Sequence, residues 1–307
     1  MKLKSVIIAL ALVVSMGIFF TSCEDTGGPV VVNKTTLKPI SNLMANSGDN
    51  TINLKWDASP DTAKSAMIGY KIYVDDTYLS TIGVISKYRT DYSLNGIPSG
   101  TKKRIAIEAV SNDSNFIASN RVQITWASTT IFNEEFKVYE SNALTGQGYG
   151  SGLQLFNTTA NKPKTWTVHE VEDWTVGVYT MDQNNLIFGA ANKLNNGESP
   201  YSKNTKSVMI SQPFYYNSFV DWYDNKNFED QSFTWSYTYD LSTIPSQYKQ
   251  NSVIFVVREK IGSEYRYAKV LVNLRNGTFL QGTSPNRYFL MSVSYQTANE
   301  LPYAKGK

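Results

Sequence analysis

An all-β chain, with an apolar leader followed by two β-rich domains, is the architecture this sequence predicts. Three observations carry the prediction. From about residue 39 onward, short segments alternate apolar and polar residues and are separated by turn-forming residues at regular intervals. No long stretch keeps a helical period. At 307 residues the chain is long for a single core, so two domains are expected. The composition agrees: 41% apolar and 18% charged residues describe a globular rather than a disordered chain.

Bulk chemistry excludes several function classes. The net charge of +3 arises from 29 basic and 26 acidic residues spread without long blocks. An electrostatic nucleic-acid footprint needs basic residues concentrated on one face, so no nucleic-acid partner is expected. A single cysteine, Cys23, permits no internal disulfide, and with a single histidine, His169, no Cys/His zinc site can be assembled. Twenty tyrosines and 13% aromatics suit both β-strands and binding surfaces.

The first element is the leader. Lys2 and Lys4 precede an apolar run from Val6 to Phe20 that only Ser15 and Gly17 interrupt. Such a run is short for a membrane span of ~20 residues and has the length of a signal-peptide core. The small residues Thr21 and Ser22 then precede Cys23. This arrangement resembles a bacterial lipoprotein signal, with Phe20 where the family usually carries leucine. The resemblance implies removal of residues 1–22, lipidation of Cys23 and anchoring to a membrane; an uncleaved signal anchor is the alternative. Glu24 and Asp25 resemble the acidic tag that directs some Gram-negative lipoproteins across the outer membrane to the cell surface. Residues 23–38, glycine- and proline-containing, are expected to form a tether.

The next element spans residues 39–128. "TINLKWD" places Ile52, Leu54 and Trp56 on one strand face, and "GYKIYVDD" does the same with Tyr70, Ile72 and Val74 before an Asp75-Asp76 turn. "NGIPSG" forms a corner leading into the alternating strand that ends at Val110. Strands at this spacing predict a β-sandwich. The positions Pro39, Leu54, Trp56, Tyr70, Ile72, Tyr73, Ile97, Pro98, Gly100 and Ala109 resemble the fibronectin type III family, which implies a spacing or protein-contact role. Arg104 stands where that family usually has a corner tyrosine, so the tyrosine's local hydrogen bond must be replaced or absent.

The remaining element, residues 131–307, is also strand-rich. "FTWSYTYD" alternates aromatics with Thr and Ser, "SVIFVVREKIGSEYRYAKVLVNL" predicts two strands around Gly262, and "RYFLMSVSYQ" predicts a closing strand. A second sandwich or a curved antiparallel sheet would accommodate them. Catalysis is not expected. His169 lacks a Gly-x-Ser-x-Gly partner. Glu134-Glu135 and Glu170, Glu172, Asp173 fit a solvated face better than a glycosidase pair. Asp221, Asp224 and Asp230 lack dense calcium-loop spacing.

Two binding readings follow. Eleven aromatics lie between Pro213 and Tyr239. Those in a predicted loop, Tyr215, Tyr216, Trp222 and Tyr223, could stack on the apolar faces of sugars, while the alternating strand aromatics are expected to pack a core. Separately, "FVVREKIGSEYRYAKVLV" with "YFLMSVSYQ", preceded by "EDWTVGVY" and "ANKLNNGES", resembles the HmuY-type haem-capturing lipoproteins, with Thr175 in place of the family's aspartate. That resemblance implies capture of haem b between two side chains, for which Met181, Met209 and His169 are the candidates. Tyr179 and Phe188 could flank the porphyrin, and an outer-membrane transporter would be the partner. The methionines could equally fill gaps in the core. Haem capture is the first expectation, and surface glycan binding or adhesion the alternative.

Overall fold

The computed structural model describes residues 33–307 except 141–148, 158, 161, 181–184, 225–232 and 299–307, and of Asn133 the backbone alone. Cys23, Glu24, Asp25, Met181, Phe228 and Asp230 therefore lie outside the described residues. Lys34–Lys307 is one compact unit.

The chain is all-β, as the alternation predicts. In the first sandwich, β1 (Ser41–Gly48), β2 (Thr51–Asp57) and β5 (Asp91–Asn95) form a sheet in the order β1-β2-β5. Facing it, β3 (Met67–Val74), β4 (Thr77–Tyr78), β6 (Lys102–Ser111) and β7 (Val122–Ala127) run in the order β7-β6-β3-β4, with Ile85–Ser86 also paired to β3. This three-on-four arrangement of antiparallel strands is a fibronectin type III-like sandwich. Ile52, Leu54 and Trp56 all point inward, as their alternation requires. Trp56 meets Tyr70 edge-on, with ring centroids 5.7 Å apart, and Tyr70 Oη accepts the Ser59 N–H at 3.0 Å.

The corner lacking its tyrosine is tied differently. Asp75 and Asp76 make the β3–β4 turn with φ of 49° and 65°, a left-handed conformation that aspartate tolerates. The Arg104 N–H donates to Asp75 Oδ1 at 3.0 Å and the Lys103 ammonium to Asp75 Oδ2 at 2.7 Å, while the Arg104 guanidinium pairs with Asp76. The Lys103 bond holds the Asp75 carboxyl below its usual range.

The first sandwich includes residues before Pro39. Thr35–Thr36 pairs in parallel with Phe116–Ile117, and Leu37 is buried in the sandwich core. The Lys38 N–H donates to Asp61 Oδ2 at 2.8 Å. Residues 35–38, expected as tether, thus belong to the sandwich, because Leu37 and Ile40 complete its apolar core.

Two residues, Ser128 and Thr129, separate β7 from the second sandwich. Its larger sheet runs β8-β18-β17-β16-β13-β14, built from Thr130–Tyr139, Tyr288–Tyr295, Glu264–Val272, Val253–Ile261, Val208–Ser211 and Trp235–Ser236. Leu280–Gln281 pairs with β18 as a seventh strand. The smaller sheet runs β10-β9-β11-β12-β15, built from Lys164–Trp166, Gly152–Gln154, Val176–Thr180, Leu186–Ala190 and Thr238–Asp240. The main core lies between the sheets, where the Phe188 and Phe255 rings meet at a tilt, 4.9 Å apart.

β16 is buried on both faces, which explains its unbroken apolar run. Val253, Phe255 and Val257 face the main core. Ile254 and Val256 face outward and pack with Phe214, Phe219, Trp222, Tyr267 and Leu271. The first sandwich docks over this outer face. Ala45 and Asp224 exchange backbone hydrogen bonds of 2.8 and 3.0 Å, and Asn46 Nδ2 donates to the carbonyls of Phe219 at 2.7 Å and Trp222 at 2.6 Å. Ser294 Oγ and Thr129 Oγ1 meet at 3.0 Å, and Thr297 Oγ1 donates to the Ser99 carbonyl at 2.9 Å. The first sandwich is therefore joined to the second by backbone and side-chain hydrogen bonds as well as by the chain itself.

Candidate functional site

Two of the haem-ligand candidates, Met209 and His169, are not brought together, and the third, Met181, lies outside the described residues. Met209 lies on β13 with its cross-strand neighbour Arg258, on the outer face of the larger sheet. Its sulfur accepts from the Arg258 guanidinium at 2.9 Å. That guanidinium is held over Trp235 at 4.1 Å and Tyr265 at 4.9 Å. His169 is exposed on the 3-10 turns Val168–Asp173, which pack through Val168 and Val171 behind the smaller sheet. His169 and Met209 thus occupy opposite outer faces of one sandwich and cannot serve one iron. Phe188 is fully buried, and Tyr179 packs edge-on against Tyr201 at 5.9 Å. Met209 and His169 thus do not form a pair that fits haem.

The "EDWTVGVY" segment has a structural role. The Trp174 indole lies flat on Gly152 and Gly177: a Cβ added to Gly152 would fall 1.8 Å from Trp174 Cδ2. Trp174 Nε1 donates to the Thr167 carbonyl at 3.0 Å. Thr175 Oγ1 donates to the buried Glu259 carboxylate at 2.9 Å, and Lys206 Nζ lies 3.5 Å from Glu259 on its other oxygen.

Of the predicted glycan platform, Trp222 belongs to the core, while Tyr215, Tyr216 and Tyr223 are half-buried. Trp222 is only 2% exposed. It stacks between Phe214 at 4.4 Å and Tyr216 at 5.9 Å, with the Lys269 ammonium 4.4 Å from its ring. Tyr215 lies parallel to Tyr248 at 4.0 Å, and burial raises its phenol well above the ordinary tyrosine range. Burial also raises Tyr216 and Tyr223, helped by the carboxylates of Asp224 for the first and of Asp91 and Asp221 for the second. The segment has no strand period and so looks like a surface loop, yet the outward-facing Ile254 and Val256 require a cover. The unbroken run "VIFVV" was the available signal for that cover.

The acidic groups are likewise dispersed. Glu170 closes a capping box on Thr167, with its Oε2 accepting from Thr167 N at 3.2 Å and Oγ1 at 2.9 Å, on the same 3-10 turns that carry Glu172. Glu134 pairs with Lys162 and Glu135 with Arg275. Asp221 is exposed while Asp224 is buried. Among the described residues no group of three or more His, Cys, Asp or Glu side chains could hold a metal.

What the structure does assemble is a depression of about 400 Å³ on the outer face of the smaller sheet, at its β10 edge. It is lined by Gln154, Asn157, Thr159, Ala160, Lys164, Trp166 and Asp173. Gln154 and Lys164 are directly opposite in the β9–β10 ladder, and Trp166 is two residues beyond Lys164 on the same face. Trp166 Nε1 donates to Gln154 Oε1 at 2.8 Å, and the Lys164 ammonium sits 3.4 Å from the indole centroid. The base is rigid. Asn204 Nδ2 donates to the carbonyls of Val171 at 2.7 Å and Trp174 at 2.9 Å, and Lys206 Nζ to that of Asp173 at 2.8 Å, which fixes the turn that presents Asp173. On the same face of β9, beside the depression, Trp174 packs against Gly152. Trp166 was not distinguished in the sequence, because nothing along the chain announces that Gln154 and Asp173 converge on it.

No family model matches the chain, and no curated protein matches it. Among solved structures it is similar to a two-domain fibronectin type III segment of chicken tenascin, at 12% identity and a TM-score of 0.23, over 76% of this chain and 99% of that one. It is also similar to the central fibronectin-III array of RIM-binding protein, at 11% identity and a TM-score of 0.24, over 86% and 96% of the two chains. A family 28 exopolygalacturonase of Yersinia enterocolitica matches at 15% identity and a TM-score of 0.23, over 30% of this chain and only 21% of that one. At these scores it is the strand order of the first sandwich that carries the fibronectin type III-like assignment.

Proposed function

We propose that this protein is a non-enzymatic, lipid-anchored cell-surface protein that binds glycan in the depression at Trp166. The observation that supports it is the grouping of one aromatic ring with Gln154, Asn157, Thr159, Lys164 and Asp173 around a concavity of about 400 Å³. A ring that can cover the apolar face of a sugar, rimmed by side chains that can meet its hydroxyls, is the chemistry that glycan capture needs. The volume falls within the range of ~300–1,000 Å³ usual for small-ligand sites. The lipoprotein-like leader supports the location: Cys23 is the acyl acceptor, and Glu24-Asp25 direct the chain outward.

Affinity electrophoresis in polysaccharide gels tests the reading. Retarded mobility in at least one gel is expected, with loss of retardation in Trp166→Ala and no loss in Trp222→Phe, whose ring lies in the core. If Trp166→Ala runs like the parent in every retarding gel, the site is wrong. For the anchor, a radiolabelled lipid precursor should label the parent and not Cys23→Ala.

A further inference from the structure

The hydrogen-bonding capacity of the Trp166 depression is unequal. Two donors converge on Gln154 Oε1: Trp166 Nε1–H at 2.8 Å and Asn157 Nδ2–H at 2.7 Å. They fix which way the Gln154 amide faces and leave its Nε2 hydrogens as donors. The Asn157 amide is already engaged, since its Oδ1 accepts the Ala160 N–H at 2.6 Å. Lys164 is exposed, directly across the ladder from Gln154, and forms no ion pair with a carboxylate among the described residues. Its ammonium rests on the indole at 3.4 Å.

That position matters for ligand choice. A neutral sugar offers nothing strong enough to draw the ammonium away, and the covered ring face stays closed to stacking. An anionic group does both jobs at once: it pairs with the ammonium through charge-assisted hydrogen bonds and uncovers the indole. Side chains directly opposite in an antiparallel ladder have Cβ atoms ~5 Å apart, a spacing that lets two donors span the two oxygens of one carboxylate. Asp173, on another wall of the depression, is an acceptor for hydroxyls.

Resting on the glycan reading above, we infer that the ligand is an acidic sugar, a hexuronate whose carboxylate is bridged by Lys164 Nζ and Gln154 Nε2 while its ring lies on Trp166. The occupant needs a carboxylate at one end and free hydroxyls at the other. Sulfated or phosphorylated sugars would satisfy Lys164 but present three oxygens to a site offering two adjacent donors.

The test is calorimetric titration of the protein with hexuronate oligosaccharides and with the same oligosaccharides after reduction of their carboxyls to alcohols. The acidic oligosaccharides are expected to bind at least tenfold more tightly, and more weakly as salt rises. Lys164→Gln, at an exposed position that does not threaten folding, is expected to lose at least tenfold for the acidic ligand and less than twofold for the reduced one. Equal affinity for both ligands, or an unchanged Lys164→Gln, overturns the acidic inference and leaves the glycan reading standing. Failure of both oligosaccharides and of every neutral glycan to bind overturns both.

Discussion

Lys269 is an amine buried against Trp222, and its removal should change how stability depends on pH. The side chain is 1% exposed, on the outward face of β17, with its ammonium 4.4 Å from the Trp222 ring. Burial pushes its pKa down to about 7, against the partly opposing pull of Asp224. A depressed amine is protonated in the unfolded chain and not in the folded one between about pH 7 and about pH 10.5. In that window unfolding takes up a proton, so stability rises with pH; below about pH 7 both states are protonated and the contribution levels off. At ~1.4 kcal/mol per unit, and allowing for half-protonation near pH 7, the native state should gain about 2 kcal/mol between pH 7 and pH 9. Lys269→Met keeps the length of the side chain and removes the titration. Urea denaturation followed by tryptophan fluorescence at intervals from pH 6 to pH 9 measures it, with the difference between parent and variant as the readout. Asp224, the carboxylate that acts on Lys269, is common to both proteins. Stability curves that run parallel within about 0.5 kcal/mol, well under the expected ~2 kcal/mol, would refute a neutral Lys269 in the native state.

Two further perturbations address the framework. Asn46→Ala removes both donors to the Phe219 and Trp222 carbonyls; each buried carbonyl left without its partner costs ~1–3 kcal/mol, so faster amide exchange is expected across residues 219–224 and along β1. Gly152→Ala forces a methyl into the Trp174 indole and should destabilise by ~3 kcal/mol or more, with a shifted tryptophan emission. Because Gly152 shares β9 with Gln154, that variant should also weaken any ligand held at Trp166. A fully stable Gly152→Ala would mean that the indole does not lie where the structure has it.

Parts of this molecule were legible along the chain because they depend on local period. The inward set Ile52, Leu54 and Trp56 follows from the two-residue repeat of a strand, and so does the turn at Asp75-Asp76, where left-handed φ favours such residues. The paired strands either side of Gly262 follow likewise, with that glycine in a left-handed conformation at φ 63°. Arg104 could be recognised as a departure, but not its remedy, since the remedy lies some 28 residues back at Asp75 and Asp76.

The aromatic-rich segment from Phe214 to Tyr223 shows where local reading fails. Its composition suits an exposed binding loop and a core lid equally, and only the neighbours decide. Trp222 became core because the outward face of β16 carries Ile254 and Val256, whose burial required a cover. Met209 looked like a soft metal ligand and became the partner of Arg258, a contact set by the register of β13 against β16.

The sequence alone determined the β class and the inward faces of the first sandwich's strands, since these depend on composition and on residues within a few positions of one another. The tertiary structure decided which aromatics are buried, that the first sandwich is docked onto the second, and that Gln154, Lys164, Trp166 and Asp173 share one depression. Those outcomes depend on which strand pairs with which and which face needs covering, and long-range pairing leaves no periodic trace in the chain.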